Sequence, residues 1–291
     1  MSDFAEQNTT FDGRIVLSVV LSDSNTSRSF KLTVCYDGTD YAGWQVQPNQ
    51  QTIQQTLQHA LTTVTGEAVT VVGSGRTDSG VHALGQAASC TIDRWRASAN
   101  DLLRALNANL PECIVVREVI DMPAGFHAIR DAIGKRYRYQ LQVGGQRDVF
   151  EYRYRWRVHQ PLDVAAMRFA AARLLGRHDF ASFQASGADP KKTTTRDVRA
   201  CDVIEQETSS DDALHLAIEV EADGFLYNME RNIVGTLVEV GRGKQTPDWI
   251  DQVIEAKDRC LAGPTAPPHG LFLVWVDYPK HVSGPLNSHD R

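Results

Sequence analysis

The chain has 291 residues, about twice the usual domain length, so two compact domains are expected. Its 42% hydrophobic and 23% charged content excludes a wholly disordered, collagenous or membrane-embedded chain. A formal net charge of -6 speaks, taken alone, against a nucleic-acid partner, because phosphates favour a basic surface.

Residues 1–28 are rich in Ser, Thr, Asp and Asn and predict a mobile N-terminal extension. Its one apolar stretch, Ile15 to Leu21, follows Asp3, Glu6 and Asp12, where a signal peptide carries positive charge. Lys31 to Tyr36 predicts a strand. Thr52 with Gln55 makes a capping box for a helix whose apolar positions are Ile53, Leu57, Ala60, Leu61 and Val64, and Gly66 supplies its stop. Val69 to Val72 and Ala87 to Thr91 read as strands around a glycine-rich loop. A helix from Ser98, with Asp101 three positions on, runs until Pro111, and Ile114 to Ile120 closes the half. The order β-α-β-β-α-β is the ferredoxin-like unit, two helices on one face of an antiparallel sheet.

The second half repeats the plan. Tyr152 to Val158 predicts a strand, Asp163 to Leu175 a helix with Ala166, Phe169, Ala170 and Leu174 inward, and Val198 to Ile204 another strand. Leu214, Leu216, Ile218 and Val220 alternate strictly. Leu226, Met229, Ile233, Leu237 and Val240 follow helical spacing, Trp249 to Ala256 adds a helix, and Leu271 to Val276 is a last strand. Gly176 to Thr195, with Lys191 and Lys192, is a polar connection long enough to predict a functional loop. The expected fold class is α+β, with two tandem ferredoxin-like domains at 29–122 and 123–279 and a tail at 280–291.

Between Lys135 and Arg157 seven basic residues face two acids, Asp148 and Glu151. Tyr137, Tyr139, Leu141 and Val143 alternate with Arg136, Arg138, Gln140 and Gln142. Tyr152, Tyr154, Trp156 and Val158 alternate in turn with Arg153, Arg155, Arg157 and His159. Two neighbouring strands would then present an arginine-lined face suited to a phosphate backbone, while the plainer reading is a solvated sheet surface over an aromatic core. The acids Asp202, Glu205, Glu207, Asp211 and Asp212 gather elsewhere, so the distribution of charge outweighs its sum.

The five cysteines, Cys35, Cys90, Cys113, Cys201 and Cys260, are scattered and form no CxxC pair; they read as reduced cytosolic thiols, without a cysteine metal site. No apolar run nears the roughly 18 residues of a membrane span. The expectation is a cytoplasmic protein.

The most unusual stretch is Gly73-Ser-Gly-Arg-Thr-Asp-Ser-Gly-Val-His-Ala83. As a phosphate loop it lacks both GxGxxG and GK[ST]. As a metal site, Asp78 and His82 have no further clustered ligand. As an aspartic protease, Asp78-Ser79-Gly80 occurs once where two copies are needed. A lone nucleophilic or acid/base carboxylate on a rigid turn remains, beside a simple capped turn.

The chain resembles the tRNA pseudouridine synthase A family. The resemblance rests on Tyr36-Asp-Gly-Thr-Asp-Tyr-Ala-Gly-Trp-Gln45, Gly75-Arg-Thr-Asp-Ser-Gly-Val-His82, Asn107-Ala-Asn-Leu-Pro111, Phe126-His-Ala128 with Lys135-Arg-Tyr-Arg-Tyr139, Asp179-Phe180 with Ser182-Phe183, Met229-Glu-Arg-Asn-Ile-Val-Gly235 and Gly270-Leu-Phe-Leu-Val274. It implies an isomerase that converts uridine to pseudouridine at positions 38, 39 and 40 of the tRNA anticodon stem-loop, without cofactor or metal, as a homodimer. It implies that Asp78 is the catalytic carboxylate, attacking sugar or base or assisting elimination. It also implies that Arg76 holds the flipped nucleotide, that Tyr137 stacks on the target base, that Arg231 pairs with Asp78, and that Leu271 lines the pocket. The catalytic cleft is expected between the two domains, with Arg136, Arg138, Arg153, Arg155 and Arg157 as candidates for the RNA backbone. Glu230 occupies a position where the resemblance implies an apolar residue. A noncatalytic RNA-binding protein, a protease and a sugar-handling hydrolase are the rival classes.

Overall fold

The computed structural model describes residues 27–187, 193–207 and 212–280. Most of the expected N-terminal extension, Lys191, Lys192, Asp211 and nearly all of the tail lie outside the described residues. The first half contains β1 (Arg28–Tyr36), α1 (Ile53–Thr65), β2 (Val72–Gly73), β3 (His82–Ile92), α2 (Ala99–Asn107) and β4 (Ile114–Met122). The second contains β5 (Gly134–Gly144), β6 (Trp156–Val158), α3 (Val164–Ala172), β7 (Gly176–Asp179), β8 (Thr195–Gln206), β9 (Ala213–Ala222), α4 (Met229–Gly241), α5 (Trp249–Ala256) and β10 (Leu271–Asp277).

Local chemistry sets the helix ends. The Thr52 side chain accepts the Gln55 N–H at the start of α1, and Gly66 closes it in the left-handed conformation at φ 71°. Ser98 and Asp101 exchange hydrogen bonds in a full capping box at the start of α2, satisfying two otherwise orphaned donors. Asp163 caps α3 by accepting the Ala166 N–H.

All ten strands belong to one mixed, mostly antiparallel sheet in the order β4-β1-β3-β10-β5-β9-β8-β7, with β2 paired to β3 and β6 to β5. The two halves therefore share a sheet, where separate sheets flanking a cleft were expected. The join is β10, which runs parallel to β3 at Phe272 and Leu273 and antiparallel to β5. Gly85 permits the join, since a Cβ there would lie 2.5 Å from the Val274 carbonyl oxygen. One continuous apolar core follows, from Phe30, Leu32 and Leu57 in the first half to Leu141, Leu216 and Leu237 in the second.

Three further expectations change. Tyr152 to Arg155 form turns, and only Trp156–Val158 pairs with β5. The turns close through Tyr152 N–H to Asp148 O at 3.0 Å and Tyr154 N–H to Glu151 O at 2.8 Å, with Arg155 bound to the Glu151 carboxylate. Phe169 is 68% exposed, and Met167 and Ala171 take the inward positions with Ala170. The connection from Gly176 to Thr195 is partly structured, by β7 and by a short 3-10 helix at Ala181–Phe183 that buries Phe183.

Candidate active site

The loop between β2 and β3 carries Asp78 and is tied down along its length. The Ser74 hydroxyl donates to Gln86 Oε1 at 2.7 Å, Gln86 Nε2 donates to Gly75 O at 3.0 Å, and Lys135 Nζ donates to Ser74 O at 2.6 Å. The Tyr36 to Trp44 segment packs beneath it. Trp44 N–H donates to Thr77 O, Tyr36 Oη and Thr77 Oγ1 lie 2.8 Å apart, and the Ser79 hydroxyl donates to Tyr41 O. Gly43, at φ 96°, leaves no room for a Cβ, which would sit 2.5 Å from Thr77 O. Such a turn holds a carboxylate in one place.

His82 sits at the loop's exit, buried. Its Nδ1 accepts the Gly38 N–H at 3.1 Å and lies 3.1 Å from Asp37 Oδ1. With Nδ1 accepting, Nε2 carries the proton and donates to the carbonyls of Arg153 and His269. Burial lowers the His82 pKa against the pull of Asp37 and both carbonyls, which favours the neutral ring this arrangement needs. One imidazole thus links the loop to the 149–155 turns and to the segment entering β10.

The helix α4 supplies the loop's counter-charge. Arg231 Nη1 donates to Asp78 Oδ2 at 3.0 Å across 153 positions of sequence. The same guanidinium donates to Asn228 Oδ1 at 3.0 Å and, through Nε, to Ala266 O at 2.7 Å. Asn228 precedes α4 in the left-handed conformation, φ 59°, which asparagine tolerates better than most residues. The Asp78 side chain keeps 26% of its surface exposed and Arg231 15%, so the pair is formed at the protein surface with its carboxylate accessible. Sequence reasoning overlooked Asn228 and Gln86; a lone Gln entering the apolar run Ala87-Ala88 was the available signal.

Tyr137 lies on β5 between Val220 of β9 and Leu273 of β10, with its ring edge-on to Phe225 at 4.9 Å. Burial first, then the charges of Glu230, Tyr36 and Asp78, push its phenol well above the ordinary range, so it is a neutral hydroxyl at any working pH. Leu271 is buried opposite Tyr139, just after the Pro268–Gly270 turn that packs on Gly80 of the loop. Asp78 pairs with Arg231 and also bears electrostatically on Tyr137. Arg76 is exposed on the same loop.

Of the five candidate backbone arginines, Arg136, Arg138 and Arg157 share one face of the sheet, Arg157 standing in register with Gln142, and all but Arg153 are engaged by carboxylates, an amide or a carbonyl. Arg136 and Arg138 project from the side of β5 opposite Tyr137, where β9 meets them with acids: Arg136 binds Glu219 and Glu221 at 3.0 and 2.8 Å, and Arg138 binds Glu219 at 2.7 Å. Arg155 binds Glu151 and Gln206, and Arg157 donates to Gly145 O. Arg153 extends over the Tyr152 ring at 5.9 Å in an exposed turn, and its own carbonyl is one of His82's acceptors. Among the described residues no helix is long and apolar enough to cross a membrane, and no three metal-ligating side chains converge.

A family model described as tRNA pseudouridine synthase matches residues 32–129 and 170–279. The chain is 43% identical over 248 residues to a protein of Halalkalibacterium halodurans named tRNA pseudouridine synthase A, covering 83% of this chain and 89% of that one. A Moorella thermoacetica protein of the same name is 44% identical over 256 residues, covering 85% and 98%, and one from Myxococcus xanthus is 43% identical over 248 residues, covering 85% and 91%. The match takes in the Asp78 loop, α4 with Arg231 and the strand that joins the two halves. The chain belongs to the tRNA pseudouridine synthase family, a family of isomerases.

Proposed function

We propose that this protein isomerises uridine to pseudouridine at positions 38, 39 and 40 of the tRNA anticodon stem-loop, with Asp78 as the catalytic carboxylate. The observation that carries the reading is the 3.0 Å pair between Arg231 and Asp78, a half-buried but accessible carboxylate held on a rigid loop by a cation from the other half of the chain. An ion pair of this kind holds a carboxylate in one orientation, which covalent or acid/base attack on a glycosidic centre requires. In the reaction the C1′–N1 bond breaks and a C1′–C5 bond forms, while C5 loses a proton and N1 gains one. No net electron or proton is consumed, so the chemistry asks for no cofactor.

The target base must leave its stack, because a stacked nucleotide hides its glycosidic carbon. Arg76, exposed on the loop two residues before Asp78, would help displace and hold the flipped nucleotide. Tyr137 would stack beneath the base, its phenol held neutral, with Leu271 as a wall. Arg153 is the favoured backbone contact among the arginines, since the other four are engaged by carboxylates or carbonyls. The strand orders β4-β1-β3-β2 and β10-β5-β9-β8 each run fourth, first, third, second, which supports two ferredoxin-like domains at 29–122 and 123–279 merged through β10. The working form would be a cytoplasmic homodimer bridged by one tRNA, recognised by shape and phosphates.

The test is to incubate unmodified tRNA transcripts with the protein and map pseudouridine. Modification at 38, 39 or 40 supports the reading. Pseudouridine confined to other positions refutes the assigned site, and none at any position refutes the activity.

A further inference from the structure

Beside the Arg231–Asp78 pair lies an acid that the proposed chemistry leaves without a task. Glu230, in the first turn of α4, is only 6% exposed. Its own backbone N–H reaches its carboxyl, while Oε1 is sealed from solvent with no hydrogen-bond partner. A carboxylate in such a place would lack the donors that a buried charge requires, so the group is held protonated. Four groups face it: Asp78 from the loop, Lys135 and Tyr137 from β5, and Arg231 from its own helix. Burial first, then the negative charge of Asp78, raise its pKa from an ordinary value near 4.5 to about 8, against the pull of Lys135 and Arg231.

Uncharged, Glu230 makes no demand on the arginine beside it, and Arg231 is committed to Asp78, Asn228 and Ala266. Charged, it would be a second carboxylate in a dry space, repelled by Asp78 and needing a donor. Lys135 already donates to Ser74 O, so drawing on it would loosen the anchor of the catalytic loop, and drawing on Arg231 would loosen Asp78 itself.

We propose that Glu230 is a positioning residue that preserves the Arg231–Asp78 pair only while it is uncharged, so that its deprotonation sets the alkaline limit of activity. The inference rests on the isomerase reading above, and its test separates the two.

The experiment is the pH profile of kcat and KM for pseudouridine formation in a tRNA transcript, from pH 6 to 9.5, for wild type, Glu230→Gln and Glu230→Met. The wild-type kcat should fall about tenfold between pH 7 and 9, as a single group titrating near 8 requires, with KM little changed. Both variants, whatever their rate at pH 7, should lose less than about twofold over that interval. Ionisation of the substrate's uracil acts on all three proteins alike and cancels in the comparison. Far-UV circular dichroism across the series checks the fold, and Glu230→Met serves if the glutamine variant is unfolded. An alkaline limb shared by wild type and a folded variant overturns this inference alone. Absence of pseudouridine with wild type at every pH overturns the isomerase reading and this inference with it.

Discussion

Gly235→Ala isolates the contact that fixes Arg231. A glycine inside a helix is usually improved by alanine, by about 0.5–1 kcal/mol, because alanine loses less conformational freedom on folding. Here the sign reverses. A Cβ on Gly235 would lie 1.7 Å from the Pro264 carbonyl oxygen and 2.9 Å from its carbon. Carbon and oxygen tolerate little under about 3.2 Å, so the strap of residues 263–266 must retreat by about 1.5 Å. That strap is held to α4 by Gly263 N–H to Thr236 Oγ1 at 2.9 Å, and by Ala266, whose N–H donates to Arg231 O and whose carbonyl accepts Arg231 Nε. Its obstacle is backbone and cannot rotate away. The expected cost is therefore at the upper end of overpacking, about 3 kcal/mol. Retreat of Ala266 also removes one of the partners that orient Arg231, so kcat should fall in the fraction that stays folded. Urea unfolding measures the first effect, and pseudouridine formation per folded molecule the second. A Gly235→Ala protein as stable as wild type, or more so, would refute the close approach and the argument built on it.

Arg153→Glu should weaken tRNA binding at low salt and reduce the slope of log affinity against log salt by about one, as the loss of one phosphate contact predicts. Arg155→Glu should instead lower stability, because it places an acid beside Glu151 and removes the partner of Gln206; affinity measurements and urea unfolding on the two variants separate these outcomes. The raised carboxyl of Glu230 gives a signed stability prediction. Between pH 4.5 and 8 the folded state holds a proton that the unfolded state releases, so this group's contribution falls as pH rises, by at most about 1.4 kcal/mol per pH unit. The stability of Glu230→Gln relative to wild type should accordingly rise from pH 5 to 8 in urea titrations, and a difference independent of pH would contradict it.

Much of the local structure was legible because its causes are local. Thr52 and Gly66 bound α1, Ser98 and Asp101 start α2, and Trp249 to Ala256 is α5, since capping and periodicity act within a turn or two. The stretch Tyr152 to Arg155 misled for a physical reason. Aromatics and arginines alternate there as they would in a strand, yet the Glu151–Arg155 pair and the Asp148 carbonyl close turns that no alternation reveals. What the basic face meets was likewise not readable, because the partner strand decides it, and β9 brings Glu219 and Glu221 opposite Arg138 and Arg136. Phe169 looked inward by spacing, but the helix turns Met167 and Ala171 to the core instead. At the site, Asp78 stood out by its loop, whereas its meeting with Arg231 was foreseen only through family resemblance. Residues 153 positions apart come together through β10's insertion between β3 and β5, a long-range event without a local signature.

The central claim is that Asp78 performs the chemistry, and release of tritium from tRNA labelled at uracil C5 tests it most directly, since forming the C1′–C5 bond expels that hydrogen. Wild type should release the label, and folded Asp78→Asn, which keeps an acceptor for Arg231 but not the charge, should release it more than about a hundredfold more slowly. Release by Asp78→Asn at a rate near that of wild type would contradict the account.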